Sequence, residues 1–182
     1  MGTLPGCEGP LLIRPERPGD EPAIAAVVRE AFTRPDVPEN EVVEAKLVDD
    51  LRAGDAWLPR LALVAEVDGV VVGHVVCSRA WVEASPALGL GPLGVLPGWQ
   101  RRGVGRALMH SVLGAADALG EPLVVLLGSP RYYGRFGFVP ASTLGIVAPE
   151  PAWGDHFQAR PLAAYDPALR GRFRYAAAFG GL

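Results

Sequence analysis

The segment Gln100-Arg101-Arg102-Gly103-Val104-Gly105-Arg106 carries the residue types best suited to chemistry, between the apolar, glycine-rich run Leu88 to Leu96 and a helical pattern. Two glycines let the main chain approach a ligand closely. The first-turn N–H groups of a helix have no intrahelical partner and carry about half a positive charge. Together they make a backbone cradle for a pyrophosphate, and Arg101, Arg102 and Arg106 add mobile positive charge around it. Further along, Ser129, Tyr132 and Tyr133 place three hydroxyls just after a buried apolar run.

These groups need a scaffold. Leu11 to Arg14 is expected to be a first strand. Asp20 is expected to cap a helix with Pro22 in its first turn and an apolar stripe of Ile24, Val27, Val28, Ala31 and Phe32. A proline-rich link through Pro35 and Pro38 leads to Asn40, the expected cap of a second helix with Val43, Leu47 and Leu51 on one face and Gly54 as its stop. Leu61 to Val67 and Val70 to Val76 read as strands joined by a two-residue turn at Asp68-Gly69, the second continuing toward Val82.

Pro86 is expected to mark the turn into a third strand, Leu88 to Leu96. Three glycines and a proline weaken an ordinary ladder there and point to a bulge, or to a ligand lying against the backbone. Val104, Leu108, Val112, Ala115 and Leu119 recur at helical spacing, and Leu123 to Leu127 has no polar alternation, as in a strand buried on both faces. Strand, crossover helix and strand make a right-handed parallel unit. Pro130 to Phe136 suits a short helix and Phe138-Val139 starts a strand. Ala148 to His156 is a surface loop, with late strands at Phe157 to Leu162 and Arg172 to Tyr175.

Length and composition set bounds. With 182 residues, 49% hydrophobic and 20% charged, the chain can bury one core, so a single domain over 11–182 behind a tail of residues 1–10 is expected. The net charge is −3 and the one basic cluster is the arginine group, so nucleic acid is not an expected partner. Cys7 and Cys77 form no disulfide framework and match no metal-site spacing; no metal, reduced thiols and a cytoplasmic setting are expected, with Cys77 in the core. No apolar run approaches the roughly 20 residues of a membrane helix, and Gly6 stands where an acyl-acceptor signal would want Ser or Thr. A membrane is not an expected partner either.

Other phosphate-binding turns fit poorly. The third glycine of a dinucleotide-binding turn would fall at Leu108. A P-loop needs Gly-Lys-Ser or Gly-Lys-Thr, and Lys46 is the only lysine.

The order of elements resembles the GNAT superfamily of N-acetyltransferases over nearly the whole chain. Gln100-Arg101-Arg102-Gly103-Val104-Gly105 matches that family's Gln/Arg-x-x-Gly-x-Gly/Ala motif, and Tyr133-Gly134-Arg135-Phe136-Gly137-Phe138 its Tyr-x-x-x-Gly-Phe segment. Leu90-Gly91-Pro92-Leu93 and Arg131-Tyr132-Tyr133 look most like the bacterial YhbS-like subgroup. The resemblance implies an α/β (α+β) fold with a central mixed, mostly antiparallel sheet, splayed strands and flanking helices. It implies a transferase that uses acetyl-CoA as cosubstrate and a primary amine as acceptor by direct attack. The pantetheine arm would run along the backbone of Leu93, Gly94 and Val95, the acetyl carbonyl would meet an N–H near Val95, and the diphosphate would sit on the amides from Arg101 to Arg106. Ser129 would reach the pantetheine, or is a plain loop serine.

Tyr133 aligns with the family's usual acid, and Tyr132 is second choice. Many family members place a Glu base on or beside the glycine-rich strand, whereas Leu88 to Leu96 contains no acid. Glu83 is the base nominated from its place in the chain, with Glu66, His74 and a backbone carbonyl acting through water as alternatives. His110 and His156 are expected on the surface. The rival to an enzyme is a non-catalytic acyl-CoA sensor or interaction protein of the same fold. Glu39, Glu41, Glu44, Glu150 and Asp155, on the elements expected to set acceptor specificity, point to a cationic amine. The apolar end, Tyr175 to Leu182, is read either as a homodimer surface or as a return onto its own sheet.

Overall fold

The computed structural model describes residues 9–36 and 42–181. Its strands form one nine-stranded mixed sheet in which the path runs β1-β2-β3-β4-β5-β8-β6, with β7 and β9 joined at one end through β3. The strands are β1 (Leu12–Pro15), β2 (Ala62–Val67), β3 (Val70–Val82), β4 (Ser85–Val95), β5 (Leu123–Leu127), β6 (Val139–Pro140), β7 (Ile146–Val147), β8 (Phe157–Pro161) and β9 (Gly171–Arg174). Among the described residues only β4–β5 and β7–β9 pair in parallel. The helices are α1 (Glu21–Phe32), α2 (Val43–Ala53), α3 (Val104–Ala118) and the single turn α4 (Pro130–Tyr133).

α1 and α2 cover one face. Ile24, Val27 and Val28 of α1 pack with Ala45 and Val48 of α2 and with Val64 and Val71 of the sheet. On the other face α3 inserts Val104, Leu108, Met109 and Val112 against Val75, Cys77, Leu88 and Val124. Gly73 makes that approach close: a Cβ there would stand 3.0 Å from Leu108 and 3.1 Å from Val104. Cys77 is fully buried, as expected of a core residue, while Cys7 lies outside the described residues.

The hairpin at Asp68-Gly69 forms with φ of 49° and 80°, the positive angles a tight two-residue turn requires. Several boundaries differ from expectation. The β3–β4 turn falls at Glu83-Ala84, with Glu83 at φ 51°, and Pro86 lies inside β4. Asp20 precedes α1 but makes no side-chain cap; its carboxylate accepts from the Arg17 amide and the Arg14 guanidinium instead. That guanidinium holds Asp20 below the usual carboxylate range. α2 buries Ala45, Leu47, Val48 and Leu51 and leaves Val43 exposed, so its buried face is rotated from the one expected. Asn40 lies outside the described residues. The chain end returns onto its own protein, with Ala176 buried beside Leu47, Leu51 and Val76.

Candidate active site

β4 and β5 pair only at Leu88–Val124 and Gly89–Val125. Beyond that point no strand among the described residues pairs with β4 on its β5 side, and the two diverge. A bulge accompanies the divergence: Gly91 and Pro92 stand opposite the single residue Val76, between the pairs Cys77–Leu90 and Val75–Leu93. Gly91 has φ 146°, a backbone angle that a side chain would resist.

The hydrogen-bond phase of β4 decides which of its groups face the gap. Leu96 N–H donates to the Val72 carbonyl at 2.9 Å, which makes His74–Gly94, two residues back, the next hydrogen-bonded pair of the antiparallel ladder. Leu93 and Val95 occupy the alternate positions, so their N–H and C=O groups point away from β3 into the gap. The side chain of Gln100 confirms the phase by donating to the Val95 carbonyl at 3.1 Å. Gly94, expected to share the pantetheine contacts, has its amide committed to His74. Its missing Cβ matters on the other side, where one would lie 3.3 Å from Ala31 of α1.

At the upper end of the gap the turn before α3 forms the expected cradle, a cleft of about 750 Å³ lined by Val95, Gln100 to Gly103, Gly105, Arg106, Tyr132, Arg135 and Phe136. Arg101 and Gly103 take φ of 60° and 88°. The first backbone bond of α3 is Ala107 N–H to the Gly103 carbonyl, and no side chain caps the helix. The amides of Gly103, Val104, Gly105 and Arg106 therefore have no protein acceptor among the described residues. Val104 contributes only that amide, its side chain being buried. The Arg102 guanidinium lies 5.3 Å above the Trp99 ring and that of Arg135 lies 4.9 Å above Tyr132, so aromatic faces hold cations at the rim.

At the lower end, Leu93, Leu127 and Tyr133 share a second cleft of about 460 Å³. α4 follows β5 through Gly128 and Ser129, where the Ser129 carbonyl accepts from both the Tyr132 and Tyr133 amides. The Ser129 hydroxyl has no hydrogen-bond partner among the described residues and lines neither cleft. Gly128 is required beneath Tyr133, since a Cβ there would come within 2.4 Å of the ring. Gln158, buried on β8, donates to the Gly128 carbonyl at 2.9 Å and holds this turn in place.

A family model for the acetyltransferase (GNAT) family matches residues 26–138. The chain belongs to the GNAT family. It is 35% identical over 163 residues to the uncharacterized N-acetyltransferase YhbS of Escherichia coli K12, covering 88% of this chain and 92% of that protein. The crystal structure of Escherichia coli YhbS in complex with CoA superimposes with a TM-score of 0.83 at 33% identity, over 99% of this chain and 96% of the other. A GNAT acetyltransferase from Brucella melitensis in complex with acetyl-CoA gives a TM-score of 0.76 at 34% identity, over 94% and 99%.

Within this GNAT fold the two tyrosines separate. Tyr132 lies over the cradle, where a Cβ on Gly105 would stand 2.9 Å from its hydroxyl. Tyr133 faces the lower cleft with its ring edge-on to Tyr132 and Phe138. Burial pushes the Tyr133 hydroxyl up to about 12, so it stays protonated at neutral pH. No protein atom hydrogen-bonds that hydroxyl among the described residues.

The nominated bases are not brought to the gap. Glu83 sits at the far end of β4, a strand of eleven residues and so roughly 35 Å long. Its carboxylate accepts from the Arg172 amide at 2.6 Å; it is a turn-stabilising residue. Glu66 pairs with Arg14. His74 is fully buried on the α1–α2 side, with Nε2 3.3 Å from Glu16 and Nδ1 without a partner among the described residues. Burial holds it below its ordinary value, so it is neutral. His110 and His156 are exposed.

Of the described acidic residues expected near the acceptor, only Glu44 lines the lower cleft. Glu150 and Asp155 are exposed on the loop, and Glu39 and Glu41 lie outside the described residues. Sequence patterns also missed the aromatic wall of this cleft, Trp153, Tyr175 and Phe179, because the last two sit in the chain-terminal segment and the first in a loop. Gln158 had one available signal: it is an amide set between the apolar residues Phe157 and Ala159.

Proposed function

We propose that one catalytic unit, residues 11–182, transfers an acetyl group from acetyl-CoA to a primary amine by direct attack. The observation that carries this is the gap itself. Open amides at one end, two outward-facing backbone positions along its edge, and an unpartnered tyrosine hydroxyl at the other end match a diphosphate, an extended arm and a thioester in that order. The complexes of the two relatives with CoA and acetyl-CoA support the same occupant.

In this reading Gly103 to Arg106 hold the diphosphate, with Arg101, Arg102 and Arg106 around it. Val95 binds the arm. The acetyl carbonyl then meets Leu93 N–H rather than a group at Val95, because Leu93 shares the lower cleft with Tyr133 whereas Val95 lines the cradle. A fixed N–H at the carbonyl oxygen stabilises the charge that develops there.

The amine nitrogen forms a bond to the acetyl carbon as the carbon–sulfur bond breaks. The Tyr133 hydroxyl shares its proton with the departing sulfur and is restored by solvent, and the amine loses one proton to water in the cleft. An acceptor with an ordinary lysine value of about 10.4 must first be made neutral, at a cost of roughly 4.6 kcal/mol at pH 7. Thiol release from acetyl-CoA with a panel of amines tests the proposal. Amine-dependent release that Tyr133→Phe suppresses without loss of acetyl-CoA binding supports it, and binding without turnover on any amine favours a sensor.

A further inference from the structure

The lower cleft is bounded on one side by the β4 bulge and Tyr133, and on the other by rings. Tyr175 and Phe179 stack with centroids 4.5 Å apart and planes 28° from parallel, and Trp153 meets Tyr175 edge-on at 6.4 Å. The Tyr175 ring is seated where β4 and β5 stop pairing, since a Cβ on Gly89 would stand 2.8 Å from it. Phe32 of α1 lines the same space. The carboxylate of Glu44 is the one acid among the described lining residues, half-buried and without an ion-pair partner among them.

Resting on the acyl-transfer reading, we propose that the acceptor is a small primary amine carried on a flat aromatic body, whose ring packs against Phe179, Tyr175 and Trp153 and whose ammonium is received by Glu44 before transfer. Flat rings favour offset or edge-on contacts of the kind this wall already makes within itself. A cleft of about 460 Å³, at the small end of ligand sites and shared with the thioester, takes one or two rings. Among the described lining residues a polyamine finds no second acid for its further charges, which would meet Leu47, Leu90 and Leu127. A lysine side chain would leave the aromatic wall unfilled.

The test uses CoA-loaded protein for binding by calorimetry and acetyl-CoA for turnover by thiol release. Probes are phenethylamine, tryptamine, butylamine, spermidine, an Nα-blocked lysine amide and the neutral 2-phenylethanol. The aromatic amines are expected to bind, and to turn over in kcat/KM, at least tenfold better than butylamine. Glu44→Gln is expected to weaken phenethylamine about tenfold and leave 2-phenylethanol unchanged. Trp153→Ala or Phe179→Ala is expected to weaken both, with thermal unfolding of each variant as the control for folding. Spermidine or the lysine amide outperforming the aromatic amines overturns the acceptor class while leaving the transfer reading standing. Aromatic amines that bind as expected without turnover uphold the class and sink the transfer reading. Equal binding of all amines overturns the class.

Discussion

Replacing Tyr133 with Phe removes one oxygen from the lower cleft and leaves the ring seated on Gly128 and against Phe138. Because no protein atom accepts from or donates to that hydroxyl among the described residues, the substitution strands no buried partner, and thermal stability should change little. The chemical loss is larger. With its hydroxyl pushed up to about 12, Tyr133 faces a leaving thiol of ordinary value about 8.5, so outright proton transfer would run uphill by roughly 5 kcal/mol. The tyrosine therefore shares its proton with the departing sulfur and is restored by solvent. Positioned acids give about 10² to 10⁴-fold, and this mismatch puts Tyr133 at the low end: about 100-fold in kcat, or about 2.7 kcal/mol. Steady-state thiol release against acetyl-CoA concentration reads it, with KM for acetyl-CoA expected within about twofold of the parent. The high ionisation also predicts no alkaline decline in kcat from this residue below about pH 11. A kcat within threefold of the parent, or a variant that no longer binds acetyl-CoA, would refute the assignment.

Gly105→Ala should weaken CoA binding by displacing Tyr132, whose hydroxyl lies 2.9 Å from the new Cβ; in a Tyr132→Phe background the added loss should shrink, and calorimetry of the four proteins checks it. His74 stays neutral in the folded protein while the unfolded chain takes a proton as pH falls through 6.5, so stability should drop below that pH by up to roughly 1.4 kcal/mol per pH unit. Denaturant unfolding of His74→Gln between pH 7 and 5 should show a flatter profile, and an unchanged slope would count against this. Glu121→Ala should cost about 2 kcal/mol by leaving the Arg79 guanidinium unpaired, because the two form a two-pronged pair at 2.6 and 2.7 Å. Chemical denaturation measures that loss.

The cradle was legible because its chemistry is local: an amide-rich turn is written in consecutive residues, Gly103 to Arg106. The bulge was legible too, since Gly91-Pro92 cannot continue a regular ladder. Glu83 misleads because nearness along the chain is not nearness to the gap: it sits in the β3–β4 turn with positive φ, and its carboxylate accepts from the β9 backbone. Gly94 misled for a related reason, as ladder phase is set by a partner strand and cannot be read from one strand alone. The aromatic wall was invisible because Phe32, Trp153, and the pair Tyr175 and Phe179 come from three separate segments that only the tertiary fold brings together.

A crystal structure with a non-transferable acetyl-CoA analogue tests the account most directly. It should show the diphosphate on the amides of Gly103 to Arg106, the arm along Val95, and the thioester carbonyl on Leu93 N–H with the Tyr133 hydroxyl at the sulfur. A diphosphate bound elsewhere, or a thioester that lies beyond reach of both Leu93 and Tyr133, would contradict it.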